Sequence, residues 1–471
     1  MPAHPTDICY LPAAELLSLF RRKALSPVEA AGAVLDRIAE VDGAVNAFIL
    51  VDGDSALAQA RASEARWMKG EPLGLLDGAP ATIKDLVLTK GWPTLKGSRT
   101  TDPNQAWEED APVTARLREA GAVLIGKTTT PEFGWKGVTD SPLSGVTRNP
   151  WNTGMTPGGS SGGAAAAAAL GMGALHQGSD GGGSIRIPSG FTGVFGHKPS
   201  FGRVPFYPPT PNGSLVHIGP ITRTVADAAL KLTVIARPDP RDWYALPYEG
   251  RDYRVGLEEG VAGLRVGFSP ALGYAKVDPE VAESVRAAAE VLAGLGAEVE
   301  EADPGFADPA PFFKDIWYAN CAFLCRDFTQ EQLDLLDPNL RKVVVEGAAV
   351  SAFDLLRATT GERVELGLCM KRFHERYDLL LTPTLAVPAF PAGRLSPGGG
   401  DEEGWMGWTP FSFPFNLSRQ PACTVPCGFT KAGLPVGMQI VGPMHDDALV
   451  LRAARAFESA RPFRMPEGPK S

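Results

Sequence analysis

The spacing of apolar residues predicts helices that alternate with short strands over most of the chain. A helix begins after Ser26, because Glu29 stands three residues later and completes a capping box. Apolar positions at helical spacing indicate two further helices, over residues 55–67 and 111–119. The second of these ends just before residues 122–126, a short apolar run that is typical of a strand.

The same alternation returns in the C-terminal half. Residues 264–268 and 297–301 are typical of strands, and an Ala-rich helix is expected between them over residues 278–295. A strand, a helix and a strand in this order predict a βαβ unit with parallel strands. Near the end, residues 436–441 form a further predicted strand, and a helix begins at Asp446.

Composition and charge place the chain among soluble globular proteins of enzyme size. Its 471 residues are 44% hydrophobic, and 45 basic against 54 acidic residues give a net charge of −9. A nucleic-acid-binding protein would show a basic excess, and a membrane span would need about 20 consecutive apolar residues. The N-terminus lacks a signal-peptide pattern, and six cysteines do not make a disulfide framework. We therefore expect a cytoplasmic protein without nucleic-acid or membrane partners.

The region from residue 148 to residue 203 is rich in Gly, Ser, Ala and Pro. Its glycines fall in two clusters, residues 158–163 and 178–186, and the first cluster leads into a six-Ala run expected to be helical. Consecutive glycines let main-chain N–H groups converge on one point, which suits a phosphate or the oxyanion of acyl transfer. A serine in such a loop can be a nucleophile if a base takes its proton.

Three interpretations of these clusters compete. A phosphate-binding P-loop is excluded, because Ala164 stands where its lysine is required. A nucleophile elbow, Gly-x-Ser-x-Gly, is matched at Ser160 and at Ser161, and Asp378 and His445 follow in the order of a triad. An elbow needs a strand before it, however, and turn-forming residues occupy that place. Glycine-rich turns without chemistry are the third interpretation.

The two clusters resemble the core signature of the amidase signature family. Other motifs of that family occur in its order, and the resemblance spans about Ser26 to Phe457. The supporting segments are residues 80–85, 124–128, 132–134, 149–152, 377–384 and 415–422.

The resemblance implies an α/β fold with a large mixed central β-sheet covered by helices on both faces. It also implies one amidase signature domain over residues 1–471. Within it we expect an N-terminal helical portion (residues 1–70), a catalytic core (71–235 and 370–460) and an inserted helical and βαβ portion (236–369).

The resemblance further implies a Ser–cis-Ser–Lys triad. Ser184 would be the nucleophile, Ser160 the bridging serine after a cis peptide bond, and Lys84 the terminal base. The separation of 24 positions between the two serines agrees with the family's spacing. The expected oxyanion hole consists of the main-chain N–H groups of Gly181, Gly182, Gly183 and Ser184.

Elementary acid–base chemistry sets a condition on this triad. An ordinary lysine has a pKa of about 10.4 and is protonated at neutral pH, so it cannot act as a base. Burial away from carboxylates lowers the pKa by disfavouring the charged form. Neutral Lys84 could then take a proton from Ser160 while Ser160 takes one from Ser184. We expect Asp85, the next residue, to face elsewhere.

Further residues are expected to support the site. Asp180 and Arg186 are interpreted as a salt bridge that braces the loop, and Ser161 as a hydrogen-bond partner of the bridging serine. In the family, the central region around Trp317 and Asn320 contributes to substrate pockets.

No metal or cofactor is expected. The pairs Cys321/Cys325 and Cys423/Cys427 have three-residue gaps, whereas zinc sites usually have two-residue gaps. The six histidines show no metal-ligand spacing.

The resemblance implies hydrolysis of a carboxylic amide through a serine acyl-enzyme, giving an acid and an amine or ammonia. One alternative is the glutamine-hydrolysing component of a tRNA-dependent amidotransferase. Asp85-Leu86 and residues 419–421 instead resemble the corresponding residues of hydrolases that act on linear or cyclic amides. An alternative of another class is a non-catalytic anion-binding protein. A homodimer is compatible with the sequence.

Overall fold

The computed structural model describes residues 5–399 and 404–470. Its thirteen described strands are β1 (Phe48–Val51), β2 (Pro80–Lys84), β3 (Val123–Thr128), β4 (Asp140–Ser141), β5 (Gly145–Val146), β6 (Leu175–Asp180), β7 (Phe195–Lys198), β8 (His217–Thr222), β9 (Arg265–Phe268), β10 (Glu298–Glu301), β11 (Leu379–Pro383), β12 (Ala422–Phe429) and β13 (Pro435–Val441).

Sixteen α-helices occupy the described residues. They are α1 (Pro5–Tyr10), α2 (Ala13–Arg21), α3 (Pro27–Val45), α4 (Gly53–Lys69), α5 (Pro112–Glu119), α6 (Gly162–Ala169), α7 (Arg186–Thr192), α8 (Val225–Ile235), α9 (Pro279–Gly294), α10 (Ala310–Leu324), α11 (Gln330–Asp334), α12 (Pro338–Ala348), α13 (Ala352–Leu356), α14 (Arg363–Arg376), α15 (Pro414–Leu417) and α16 (Asp447–Ala460).

Eleven of these strands form one mixed sheet, with helices covering both faces. Its order is β1-β3-β2-β6-β8-β7-β12-β13-β11-β9-β10. Strands β3, β2 and β6 run parallel to one another, as do β11, β9 and β10. The strands between these two groups pair antiparallel. The predicted fold class is therefore confirmed.

The helix ends that the sequence predicted lie within two residues of those in the structure. The Ser26 capping box at the start of α3 is present, because Ser26 and Glu29 exchange side-chain and main-chain hydrogen bonds. The predicted βαβ unit is β9-α9-β10, and its strands are parallel. Helix α4 begins two residues earlier than expected, because Asp52 rather than Ser55 caps it.

The six-Ala run forms α6, which is buried along its whole length. Alanine and glycine side chains are small enough for this helix to lie between the sheet and its neighbours. It packs against α7, β6 and β8. The run is therefore a core element, and its N-terminus lies inside the protein.

The inserted portion contributes to the same sheet as the core. Strand β9 pairs with β11 of the C-terminal core segment. The division of residues 1–471 into an N-terminal portion, a core and an insertion stays a prediction. Of the helices in the described ranges, none is both long and apolar enough for a bilayer span.

Candidate active site

Two parallel strands bring candidate residues to one edge of the sheet. Strand β2 ends at Lys84, and its neighbour β6 ends at Asp180, directly after Ser179. Thr82 is level with His176 across the pair, so the carboxyl ends of the two strands lie side by side. In α/β proteins this edge is a common location for binding sites.

The Lys84 amine lies among three serine hydroxyls. Its Nζ is 2.6 Å from Ser160 Oγ, 2.9 Å from Ser161 Oγ and 3.0 Å from Ser179 Oγ. The lysine itself is 0% exposed. The structure thus brings Lys84 and Ser160 into hydrogen-bond contact.

Ser179 is a partner of the lysine that the sequence interpretation missed. It lies in the second glycine cluster, two residues after Gln177, and strand alternation puts both side chains on one face of β6. Gln177 Oε1 accepts the main-chain N–H of Lys84 at 3.0 Å. The alternation of side chains along β6 could have indicated Ser179 from the sequence, but only if it were known that β6 lies beside β2.

The surroundings of Lys84 lower its pKa. Burial disfavours the charged ammonium and takes the pKa well below the usual lysine value, and the negative charge of Asp180 acts against this shift but is weaker. The carboxylate of Asp180 is itself paired with Arg186 at 2.9 Å. The balance therefore favours a neutral amine at position 84.

Asp85 follows Lys84 directly but faces another part of the structure, as expected. Its carboxylate accepts the main-chain N–H groups of Leu95 at 3.0 Å and Gly97 at 3.2 Å. It also pairs with the buried Lys127 at 3.6 Å. These contacts engage a charge that would otherwise keep Lys84 protonated.

Asp180 and Arg186 form the expected salt bridge, which is fully buried. Asn416 joins it, since its Oδ1 accepts from Arg186 at 2.7 Å and its amide donates to Asp180 at 2.8 Å. Burial alone would raise the pKa of Asp180, but the charge and hydrogen bonds of Arg186, together with Lys198 and Asn416, outweigh burial and hold that pKa below its usual range. The sequence interpretation gave Asn416 no role, although it stands in one of the resembling motifs.

The peptide bond between Gly159 and Ser160 is cis, at the position that the resemblance implies. A side chain at Gly159 has no room, because its Cβ would lie 2.5 Å from the carbonyl oxygen of Val138. The next residue, Ser161, is the N-cap of α6. The positive end of that helix therefore begins beside the lysine, which further disfavours a charged amine there.

Ser161 has a different partner from the one predicted. Its hydroxyl contacts Lys84 rather than Ser160, and it donates to the carbonyl oxygen of Ser179 at 3.2 Å. Its main-chain N–H donates to the carbonyl of Ser184 at 3.1 Å. The start of α6 lies against the ends of β2 and β6, so Ser161 meets groups of those strands.

The loop from Gly181 to Ser184 carries main-chain N–H groups into the site. Among the residues that the structure describes, the N–H groups of Gly181, Gly182 and Ser184 have no acceptor. The N–H of Gly183 instead donates to Asp180 at 2.7 Å. The predicted contribution of Gly183 to an oxyanion hole therefore does not hold, because a buried carboxylate already occupies that donor.

A cavity opens over this loop. It has a volume of about 1080 Å³, part of it open to solvent, and both Ser160 and Ser184 line it. Ser184 is 7% exposed, so the predicted nucleophile is accessible from the cavity. Most of the other lining residues are aliphatic, aromatic or proline.

Trp317 and Asn320 line the same cavity from α10. The Trp317 ring packs against the loop of residues 181–184, since a Cβ on Gly181 would lie 3.2 Å from it. Its Nε1 donates to the carbonyl oxygen of Trp135 at 2.9 Å. Asn320 donates to the side chain of Asn212 at 3.2 Å. Both residues are thus held in place within the cavity wall.

Comparison with known proteins identifies the family. The pattern of the Amidase family matches residues 29–451. The chain belongs to the amidase signature family. An acylamidase of Rhodococcus erythropolis is 39% identical over 97% of both chains. One component of the glutamyl-tRNA(Gln) amidotransferase of Moorella thermoacetica is 37% identical over 98% of this chain and 99% of its own. A bacterial aryl acylamidase has a similar structure, with a TM-score of 0.90 and 33% identity over 96% of both chains.

The residues of a nucleophile elbow do not meet in this amidase. Asp378 pairs with Arg265 at 3.0 Å at the start of β11. The main-chain N–H of His445 donates to Ser200, and neither His445 nor Asp378 lines the cavity that contains Ser160. Since the cluster is also not preceded by a strand, the geometry gives this alternative no support.

The cysteine pairs of the amidase are free thiols, and Cys321, Cys325, Cys423 and Cys427 are buried. In the described ranges, no group of three His, Cys, Asp or Glu side chains is arranged to hold a metal ion. Burial raises the pKa of Cys325 to about 11 and that of Cys427 to about 12, so these thiols stay protonated at neutral pH.

Replacing Arg186 should destabilise the amidase strongly. The variant Arg186→Met leaves the Asp180 carboxylate buried without its partner, and loss of one member of such a pair costs about 3–5 kcal/mol in free energy of unfolding. Urea denaturation measures this change. The matched control is Arg254→Met, which removes an exposed pair with Asp252 and should cost less than about 1 kcal/mol. Equal losses in the two variants would contradict the bracing role.

Proposed function

We propose that this amidase hydrolyses carboxylic amides through an acyl-enzyme on Ser184, with Ser160 as the bridge and Lys84 as the base. The observation that carries this proposal is a fully buried lysine amine within 2.6 Å of the Ser160 hydroxyl. Its nearest carboxylates, Asp85 and Asp180, are engaged elsewhere.

The hydrogen bonds around Lys84 support a particular assignment of protons. The Ser161 hydroxyl donates to a carbonyl, so it can only accept from the amine. A neutral amine donates two hydrogen bonds and accepts one. It can donate to Ser161 and Ser179 and accept from Ser160, whose Oγ is the nearest of the three. Ser160 is then free to take the proton of Ser184.

The chemical steps follow from this assignment. The Ser184 oxygen attacks the amide carbon and forms a C–O bond, and its proton passes to Ser160 while that of Ser160 passes to Lys84. The proton then returns by the same route to the leaving nitrogen as the C–N bond breaks. Water repeats the sequence on the acyl-enzyme and releases the acid.

The negative charge that develops on the carbonyl oxygen needs donors in place. We assign these to the N–H groups of Gly181, Gly182 and Ser184, which lie next to the nucleophile and are not used elsewhere in the described structure. The aromatic rings of Trp317 and Trp405 pack against this loop. That packing holds the donors in position before the substrate arrives.

The cavity supports acylamides as substrates more than it supports glutamine. Glutamine carries both a carboxylate and an ammonium group. The ammonium would need a carboxylate partner, and the described residues that line the cavity include no Asp or Glu. The lining is mainly apolar and aromatic, which suits hydrophobic acyl or aryl groups. The names of the acylamidase relatives agree with this proposal.

Comparison of anilides with glutamine tests the substrate class. Acyl 4-nitroanilides should be turned over by the isolated chain, because their apolar parts match the cavity. Glutamine should be hydrolysed at least about 100-fold less efficiently in kcat/KM, the ratio expected when a charged group finds no partner. Glutamine turnover that appears only when the other amidotransferase components are added would favour the alternative function.

Covalent labelling tests the nucleophile. A fluorophosphonate probe should modify Ser184, as seen by mass spectrometry of the digested protein. Ser184→Ala should abolish both labelling and amide turnover while the circular dichroism spectrum stays unchanged. Ser161→Ala serves as the matched control and should still be labelled at Ser184. Labelling at Ser160 or Ser161 in the unmodified protein would overturn the assignment.

The pH dependence of kcat/KM tests the base. Because only the neutral amine accepts a proton, activity should rise with pH through the lowered pKa of Lys84 and level off well below the usual lysine value. Lys84→Met should lower kcat/KM by about 10²–10⁴-fold, the range for loss of a positioned base. His445→Asn should change little, since His445 lies outside the cavity. Equal losses in both variants would contradict the triad.

The remaining expectations concern the cellular location, the partners and the oligomeric state of the enzyme. We propose that the enzyme acts in the cytoplasm without a nucleic-acid partner, and a homodimer is compatible with its sequence. These statements stay predictions.

A further inference from the structure

The cavity over Ser184 contains a single charged side chain among its described lining residues, that of Lys96. We propose that Lys96 binds an anionic group, of carboxylate type, on the amide substrate. This inference rests on the proposed function, because it concerns the substrate of that same site. It assigns a specificity-determining role to a residue that the triad chemistry does not use.

The main chain around Lys96 is held firmly. Its N–H donates to the carbonyl of Asp85 at 3.0 Å, and its own carbonyl accepts the N–H of Phe133 at 2.7 Å. The Asp85 carboxylate accepts the N–H groups of both flanking residues, Leu95 and Gly97. Asp85, the residue after Lys84, therefore fixes the turn that carries Lys96.

This turn has an unusual conformation for a lysine. Lys96 has φ +58 and Gly97 has φ +63, so both lie in the left-handed region that residues other than glycine seldom adopt. A Cβ at Gly97 would lie 2.6 Å from the carbonyl oxygen of Thr130. Position 97 therefore has no room for a side chain, and the half-buried Lys96 next to it lines the cavity.

Lys96 belongs to the wall of the cavity that adjoins the serines. It is hydrogen-bonded to Phe133, which lines the cavity together with Gly134 and Trp135. The position of a Cβ on Gly134 would be 3.2 Å from Ser160 Oγ. A substrate that reaches Ser160 and Ser184 thus contacts the same wall that carries the ammonium group.

The Lys96 ammonium has no partner within the described part of the chain, whether by hydrogen bond or by ion pair. The nearest acidic group that influences it is Asp85, whose carboxylate is paired with Lys127. Burial lowers the pKa of Lys96 and Asp85 opposes that change. A bound carboxylate would raise the pKa again, because an opposite charge at close range favours the charged form.

The described residues that line the cavity include a lysine and no acidic side chain, so the cavity should prefer anionic substrates. A hydrogen bond between a carboxylate and a partly desolvated cation is stronger among apolar groups than it is in water. Anionic amides should therefore be favoured over neutral amides of the same size by about 10- to 100-fold.

Matched anilides measure this preference. Succinyl, glutaryl and adipoyl 4-nitroanilides differ from butanoyl, pentanoyl and hexanoyl 4-nitroanilides by a carboxylate in place of a terminal methyl group. A second pair, 4-acetamidobenzoate and 4-methylacetanilide, places the charge on the amine side. In at least one matched pair, kcat/KM should be at least tenfold higher for the charged member, mainly through a lower KM.

Variants of Lys96 assign the preference to this residue. Lys96→Met should lower the charged-to-neutral ratio of kcat/KM at least tenfold, and Lys96→Arg should restore most of it. Lys90→Met is the matched control, because Lys90 is exposed on the same segment and does not line the cavity. The inference is overturned if no pair shows the preference, or if Lys96→Met leaves the ratio unchanged.

A binding measurement separates this inference from the proposed function. Calorimetry on Ser184→Ala with the same anilides needs no turnover, and the charged members should bind at least tenfold more tightly than in the double variant with Lys96→Met. If the charged anilides bind more tightly when Lys96 is present but the unmodified protein cleaves no amide, the proposed function fails and the inference stands. If neutral anilides are cleaved and no charge preference appears in binding, the inference fails alone.

Discussion

The site depends on removing one amine from water without giving it a carboxylate partner. Lys84 is completely buried, and hydroxyl groups surround it. An ammonium in such a place loses its hydration without a compensating charge, so the neutral form is favoured. Both nearby acids are engaged by other cations, Asp85 by Lys127 and Asp180 by Arg186.

The fold produces this arrangement through its central strands. The parallel pair β2 and β6 ends at one edge, and α6 begins there with Ser161. Burial of the whole alanine helix brings its N-terminus to the strand ends. The Asp180–Arg186 pair then shapes the loop up to Ser184 and uses the Gly183 N–H, while leaving neighbouring N–H groups available. The residues that brace this loop are thus adjacent to those to which we assign chemical roles.

The features that the sequence predicted well are those set by local chemistry. The Ser26 capping box and the alanine helix depend on residues within a few positions of each other. The part played by Ser179 could not be predicted, because it depends on which strand lies beside β2. The prediction that the Gly183 N–H belongs to the oxyanion hole was wrong. That N–H donates to the Asp180 carboxylate, whose direction is set by Arg186. The placement of Lys96 likewise depends on tertiary hydrogen bonds to Asp85 and Phe133.

A direct titration of Lys84 tests the account most sharply. Lysines labelled with ¹³C at Cε and ¹⁵N at Nζ can be followed by NMR as the pH is raised, and the signal of Lys84 is assigned from its loss in a Lys84→Met sample. We expect that signal to show deprotonation well below the pH at which the exposed lysines titrate. A Lys84 signal that titrates together with those exposed lysines would show a charged amine at neutral pH and would contradict the account.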